Sequence, residues 1–250
     1  MAVISADEQP VVATRRQLAA GWMVHAYTAI GSVLALLVIV AALDGNTVRA
    51  FWILLVALIV DGTDGMLARR LKVKQTIPGF DGARLDDIVD YLTYVFAPVM
   101  LLWVGGHLPD GTLGVVLAAL PLLASSYQFC RVDAKTDDHY FLGFPSYWNV
   151  VAFYVVILDL SPVITAVLLV SCAALVFVPI KYIYPSRTTV LRKLNLTLAG
   201  LWVVLYAVIL LRLPEPGLIA IGLSLSYIGY YLLASIYLTV RPRSAARNSS

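Results

Sequence analysis

Residues 51–70, "FWILLVALIVDGTDGMLARR", carry ten apolar positions straight into a charged tail, Asp61-Gly-Thr-Asp64-Gly65-Met-Leu-Ala68-Arg69-Arg70. A second acidic stretch, "DGARLDDIVDY", starts at Asp81 and leads back into apolar sequence. The chain has 15 acidic residues, and six of them (Asp61, Asp64, Asp81, Asp86, Asp87, Asp90) lie between positions 61 and 90. A carboxylate beside hydrocarbon is costly unless it is paired, protonated or bound to a cation. Fold and function both turn on what makes this cluster tolerable.

Composition names the solvent. Hydrophobic residues make up 60% of the 250 and charged residues 13%, with a mean hydropathy of +0.85. An ordinary soluble domain is about 25% charged, so the expected fold class is an all-α integral membrane protein. Helices rather than a barrel follow because the apolar runs are continuous over about 20 residues and do not alternate polar with apolar. Runs bounded by charge, Pro and Gly predict eight transmembrane helices, at about 18–43, 47–69, 84–106, 111–131, 145–160, 162–182, 195–211 and 216–239. The fifth is the shortest and opens with "FPSYWN".

The net charge of +3 is too small and too dispersed for nucleic acid, so none is expected as a partner. Cys130 and Cys172 stand in apolar surroundings and read as packing residues, not as a metal or redox pair. The acidic start followed by "TRRQ" predicts no cleaved signal peptide. The division expected is a cytoplasmic segment at 1–17, a transmembrane catalytic domain at 18–240 and a basic disordered tail at 241–250, in contact with anionic headgroups. Loops at about 70–83, 132–144 and 183–194 are too short to bury a soluble core. No internal or inverted repeat is visible.

Loop charge orients the spans, since cytoplasmic segments are rich in Lys and Arg. With the N-terminus inside, every basic residue except Arg49 and Arg212 falls on inner segments. An odd number of spans would spoil that alternation. Both termini and both acidic clusters are therefore expected on the cytoplasmic face, and the protein in a bacterial inner membrane.

If the second helix continues through Arg69, then Asp61, Asp64, Gly65 and Ala68 share one helical face. Asp86 and Asp90 stand one turn apart on the third helix. Four carboxylates then converge near the membrane boundary, and divalent cations resolve their repulsion: an oxygen-only donor set suits Mg²⁺ or Mn²⁺. Four are enough for two ions, an arrangement that serves phosphoryl and phosphodiester chemistry. Gly65 and Ala68 leave room for a ligand to approach the backbone, Arg69 is placed to contact phosphate oxygens, and Gly82 marks a turn or a close approach. The plain alternative is a set of solvated acids paired with Arg69, Arg70, Lys72 and Lys74.

The string Asp61-x2-Asp64-Gly65-x2-Ala68-Arg69, then Gly82-x3-Asp86-x3-Asp90, resembles the signature of the CDP-alcohol phosphatidyltransferases, with every fixed position filled. Twelve residues, 70–81, separate Arg69 from Gly82, where most of that family has eight or nine. The longer spacing, the eight spans and the strings "VHAYTAIGS", "DDIVDYLTYVF", "FPSYWN" and "YPSRT" resemble the bacterial phosphatidylcholine synthase branch over about residues 18–240. The resemblance implies a CDP-alcohol phosphotransferase-type bundle and one reaction: CDP-diacylglycerol plus choline gives phosphatidylcholine plus CMP. It also implies Asp61, Asp64, Asp86 and Asp90 as ligands of two Mg²⁺ or Mn²⁺ ions, with Asp90 as the base. Gly65, Ala68, Arg69 and Gly82 would line the nucleotide and diphosphate, with Gly65 and Ala68 admitting the cytidine and Arg69 steadying the diphosphate, and a homodimer is expected from the same likeness.

A quaternary ammonium is usually held by aromatic faces. The aromatic segment 127–148 therefore suggests a choline cage that includes Tyr147 and Trp148 near Asp90, with Tyr91 and Tyr94 also close to the motif. Membrane-interface anchoring explains the same aromatics. Arg131 and Arg187 read as phosphate binders or interfacial anchors. His25 faces a nucleotide pocket or bonds a neighbouring helix, and Thr28 contacts cytidine or its own helix. Kept open beside the main reading are another acceptor (serine, inositol, glycerol phosphate or ethanolamine), the reversed donor pair of CDP-choline and diacylglycerol, and a divalent-metal transporter.

Overall fold

A computed structural model of the chain describes residues 13–136, 138–185, 188 and 190–240. The tail at 241–250 and Arg187 lie outside these described residues, as does most of the N-terminal segment. All eight expected apolar helices form. In chain order the elements are α1 (Arg15–Leu43), α2 (Thr47–Arg70), the single turn α3 (Val73–Thr76) and α4 (Gly82–Asp90). A π-helical turn (Tyr91–Phe96) then joins α4 to α5 (Ala97–Val104), and α6 (Gly111–Cys130) and strand β1 (Tyr140–Leu142) follow. The chain closes with α7 (Trp148–Ile157), α8 (Pro162–Val176), β2 (Lys181–Ile183), α9 (Arg192–Leu211) and α10 (Leu218–Val240).

Among the described residues, six helical stretches are long and apolar enough to cross a membrane, counting 82–104 as one. The chain is a multi-pass membrane protein. The expected fifth and sixth spans are shorter than foreseen, at 10 and 15 residues. At 1.5 Å per residue they reach about 15 and 22 Å, against about 30 Å of hydrocarbon. Each has a local cause. Pro145 and the positive φ of Ser146 (58°) hold the chain out of helix until Trp148. The sixth helix stops at Val176 because Pro179 cannot continue it and residues 181–183 pair as a strand. Six crossings or eight leave the two ends on the same side.

The chain divides into two compact units: one runs to Gly114 and takes up Trp148–Leu160, and the other comprises Val115–Tyr147 with Ser161 onward. The first unit is built on an α1–α2 hairpin. Its turn is closed by Asn46 N–H donating to Ala41 O (2.8 Å) and Gly45 N–H to Ala42 O (3.0 Å), with Gly45 at φ +68°. This two-bond closure satisfies the last carbonyls of α1. Asn46 then caps α2 through its side chain, accepting from Arg49 N–H at 3.0 Å. A three-residue turn of this kind lays the helices antiparallel, so residues 27 and 28 stand opposite 63 and 64. Tyr27 and Thr63 hydroxyls meet at 2.9 Å. The additional residues between the two acidic motifs fold as α3, whose Val73 is buried with Ile77 against α1.

In the second unit β1 and β2 form a small antiparallel ribbon pairing Tyr140 with Ile183, a β element that the all-α expectation did not include. The ribbon joins the two loops that the charge pattern places on one side of the membrane. Its outer edge is covered by α10. Ser235 Oγ accepts from Ile183 N–H (3.2 Å), Thr239 Oγ1 from Lys181 N–H (2.8 Å), and Tyr231 OH donates to Ile183 O (3.1 Å). These three stand at i, i+4 and i+8 of an otherwise apolar helix, which satisfies strand groups that hydrocarbon could not. Cys172 is buried, as a packing residue should be, whereas Cys130 is exposed at the end of α6.

Candidate active site

The whole acidic signature lies in the first unit. The helix α2 runs unbroken from the membrane interior through Arg70, so Asp61 and Asp64 sit one turn apart at its polar end. At about 100° per residue they splay by about 60° around the axis. Asp61 turns toward the third transmembrane stretch and joins Asp86 and Asp90: oxygens of the three, all half-buried, lie within 4.8 Å of one another. Asp64 turns toward α1 instead. It is 4% exposed, and its Oδ2 accepts from Thr28 Oγ1 at 2.7 Å. The expected convergence of four carboxylates is therefore a group of three, with the fourth held by a hydroxyl beside them.

Burial also disposes of the plain alternative for Asp64, since a residue so enclosed is not a solvated surface acid. Thr28 bonds back to its own helix, as one of its two readings expected, and also reaches across. Its bond to Val24 O is long, at 3.4 Å, and its short bond crosses to the neighbouring helix. His25 is buried with no hydrogen-bond partner at Nε2, so at that atom it does not bond a neighbouring helix. Its ring packs on Phe80, centroid to centroid 4.4 Å, and over Gly82. A Cβ added at Gly82 would stand 2.7 Å from His25 Cε1. Gly82 thus marks a close approach, and what approaches is α1. Farther along the same pair, a Cβ at Gly31 would meet Val89 Cγ1 at 2.3 Å. Two glycines, one on each element, seat α4 against α1 and so fix where Asp86 and Asp90 stand.

The remaining signature positions fit an approach of ligand to backbone. Beyond the adjacent residues and the backbone of its own helix, the one described atom within 4 Å of a Cβ built on Gly65 is Nη1 of Arg69, the far end of a flexible side chain, at 3.2 Å. Ala68 is half-buried and Arg69 exposed. An all-oxygen donor set of closely spaced carboxylates fits Mg²⁺ or Mn²⁺, whose remaining positions are commonly filled by water and substrate phosphate.

Tyr94 is a residue that sequence reasoning placed near the motif without finding its role. It is 8% exposed, and its hydroxyl donates to Asp61 Oδ2 at 2.5 Å. The signal was its spacing, four residues beyond Asp90.

The expected choline aromatics divide between the units. Trp148 belongs to the first and is 1% exposed. Such burial leaves no open ring face for a quaternary ammonium, which corrects its place in the cage. Tyr147 belongs to the second unit and is half-buried beside Phe141 and Tyr231, each 6.3 Å away between centroids. Arg131 grips Asp133 with two parallel bonds of 2.7 Å and lies over Tyr127, 5.5 Å from the ring centroid. That bond holds the Asp133 carboxyl below its usual range. The geometry matches an internal anchor, not an open phosphate clamp.

Comparison with known proteins supplies the family. The family profile for CDP-alcohol phosphatidyltransferase matches residues 23–240. A protein of Legionella pneumophila named phosphatidylcholine synthase is 39% identical over 241 residues, covering 94% of each chain. One of the same name from Borreliella burgdorferi is 38% identical and covers 89% of this chain and 96% of its own. Another from Pseudomonas aeruginosa is 36% identical, over 89% and 93%. With a matching profile over most of its length and relatives this similar end to end, the chain belongs to the CDP-alcohol phosphatidyltransferase family.

Proposed function

We propose that the chain synthesises phosphatidylcholine, transferring the phosphatidyl group of CDP-diacylglycerol to choline with release of CMP. The observation that carries the chemistry is the convergence of Asp61, Asp86 and Asp90 from two helices at the signature positions. The acceptor rests on the relatives' printed name.

In this reading Asp61, Asp86 and Asp90, with Asp64 beside them, would hold two Mg²⁺ or Mn²⁺ ions, which when bound neutralise the diphosphate and improve CMP as a leaving group. Arg69 steadies the diphosphate, and Gly65 and Ala68 leave the cytidine room against α2. Asp90 accepts the choline hydroxyl proton as that oxygen bonds to the lipid phosphorus. The bond from phosphorus to the CMP oxygen breaks, and its electron pair leaves with CMP. Tyr147 remains the aromatic assigned to the choline ammonium, while Arg131 is read as an anchor. The site faces the cytoplasm of a bacterial inner membrane, as the basic loops suggest, and a homodimer belongs to the same reading by resemblance alone.

One panel tests it. Purified protein given CDP-diacylglycerol and Mn²⁺ should release CMP with choline and not with serine, inositol or glycerol phosphate. Asp90→Asn should lower turnover by about 10²–10⁴-fold, and Tyr147→Ala should raise the choline KM. Release of CMP with another acceptor alone would move the specificity, and no release with any would favour a transporter.

A further inference from the structure

Tyr94 lies one turn beyond Asp90, at the margin of the acidic face that an ordinary α-helix would present to Asp61. In a continuous α-helix it would stand about 80° around the axis from Asp86, at about 100° per residue. The wide turn that begins directly after Asp90 changes this. Ala97 N–H bonds to Leu92 O, five residues back, and a wider turn advances less per residue. Tyr94 is thereby brought back toward the face that carries Asp86 and Asp90. The cause is one residue further on. Pro98 has no N–H, and its ring would clash with the carbonyl four residues earlier, that of Tyr94 itself. Relief by a π turn is a recurrent response, and such turns gather at functional sites.

The hydroxyl uses the position. Its contact with Asp61 Oδ2, at 2.5 Å, is of the length found when a hydroxyl donates to an ionised carboxylate. The ring is buried, so phenylalanine would fill the same space, and the oxygen adds a bond to the acid. That bond fixes the plane of the Asp61 carboxylate while leaving lone pairs on both oxygens for a cation.

We propose that Tyr94 is a positioning residue which, through the π turn set by Pro98, orients Asp61 for divalent-cation binding. This rests on the reading of Asp61, Asp86 and Asp90 as cation ligands.

The test is Mn²⁺ titration of the metal-free, full-length protein in detergent, without substrates, alongside its metal-free melting temperature. Partners that orient a ligand typically account for 10–100-fold in metal affinity. Tyr94→Phe should weaken Mn²⁺ binding by that factor while the metal-free melting temperature stays close to wild type. A purely structural role would lower the melting temperature and leave the affinity of the folded fraction unchanged, which overturns the proposal. Pro98→Ala keeps both bonding partners and removes the reason for the wide turn. It should weaken Mn²⁺ in the same direction, and wild-type affinity there would overturn the role given to the turn. Asp86→Asn separates the two levels of the argument. If it binds Mn²⁺ as wild type does, the metal reading falls, and Tyr94 with it. If it loses Mn²⁺ while Tyr94→Phe does not, the metal reading stands and only the role of Tyr94 falls.

Discussion

In the second unit Asp133 is gripped by the Arg131 guanidinium, and Asp138 by the Lys181 ammonium. In the first unit Asp61, Asp86 and Asp90 are instead drawn to within 4.8 Å of one another, and Asp64 is buried against a threonine. The same side chain is matched with opposite charge in one place and gathered with its own kind in another. Gathering like charges in a partly desolvated site raises the energy of the folded protein, whereas matched pairs near a surface are close to neutral in stability. The contrast is what the proposed cation site would require of the first unit, while the acid–base pairs of the second tie residues of its loops together.

Breaking one acid in each unit should give the largest contrast. Asp86→Asn should lower CMP release by about 100-fold or more, while Asp133→Asn should leave it within about twofold, both measured on protein of equal folded fraction. Equal losses would erase the distinction between the units. The next effect is on stability. Thr28→Val removes the donor from buried Asp64 and should cost about 1–3 kcal/mol by thermal or denaturant unfolding in detergent. A stability within error of wild type would mean that Thr28 does not support Asp64.

The smallest expected effect concerns His107, in the loop between α5 and α6 of the first unit. Burial pushes its imidazole below the ordinary value, with Asp159 pulling the other way. The unfolded chain then binds more protons than the folded one in the window below about pH 6.5. Stability is therefore full above that value and falls as the pH drops toward the folded-state value. His107→Gln should flatten the melting temperature between about pH 7 and 5 without altering Mn²⁺ affinity. A change in affinity would tie the loop to the cluster.

Much of the candidate site was legible because helices impose a period. Carboxylates at 61 and 64, and at 86 and 90, had to fall on related faces once both segments were read as helical. The division among them was not legible. Asp64 goes to Thr28 because a three-residue turn sets α1 beside α2, and nothing in the spacing of the acids says which neighbour lies on which flank. Gly82 read as a turn or a close approach, yet only packing shows His25 against it. The C-terminal end of the sixth helix was misjudged for a related reason: an apolar run does not say where a helix stops and a strand begins, and the pairing of Lys181–Ile183 with Tyr140–Leu142 decides that.

By itself the sequence determined the solvent, the helices and the chemical character of the site. Continuous apolar runs and a compact set of acids permit few other arrangements in hydrocarbon, and both are local properties. Only the tertiary structure decided which acid meets which partner. The hydroxyl of Tyr94 on Asp61 and the burial of Trp148 depend on contacts between segments distant in the chain. Those contacts are set by shape and close packing, which residue spacing along a single helix does not encode.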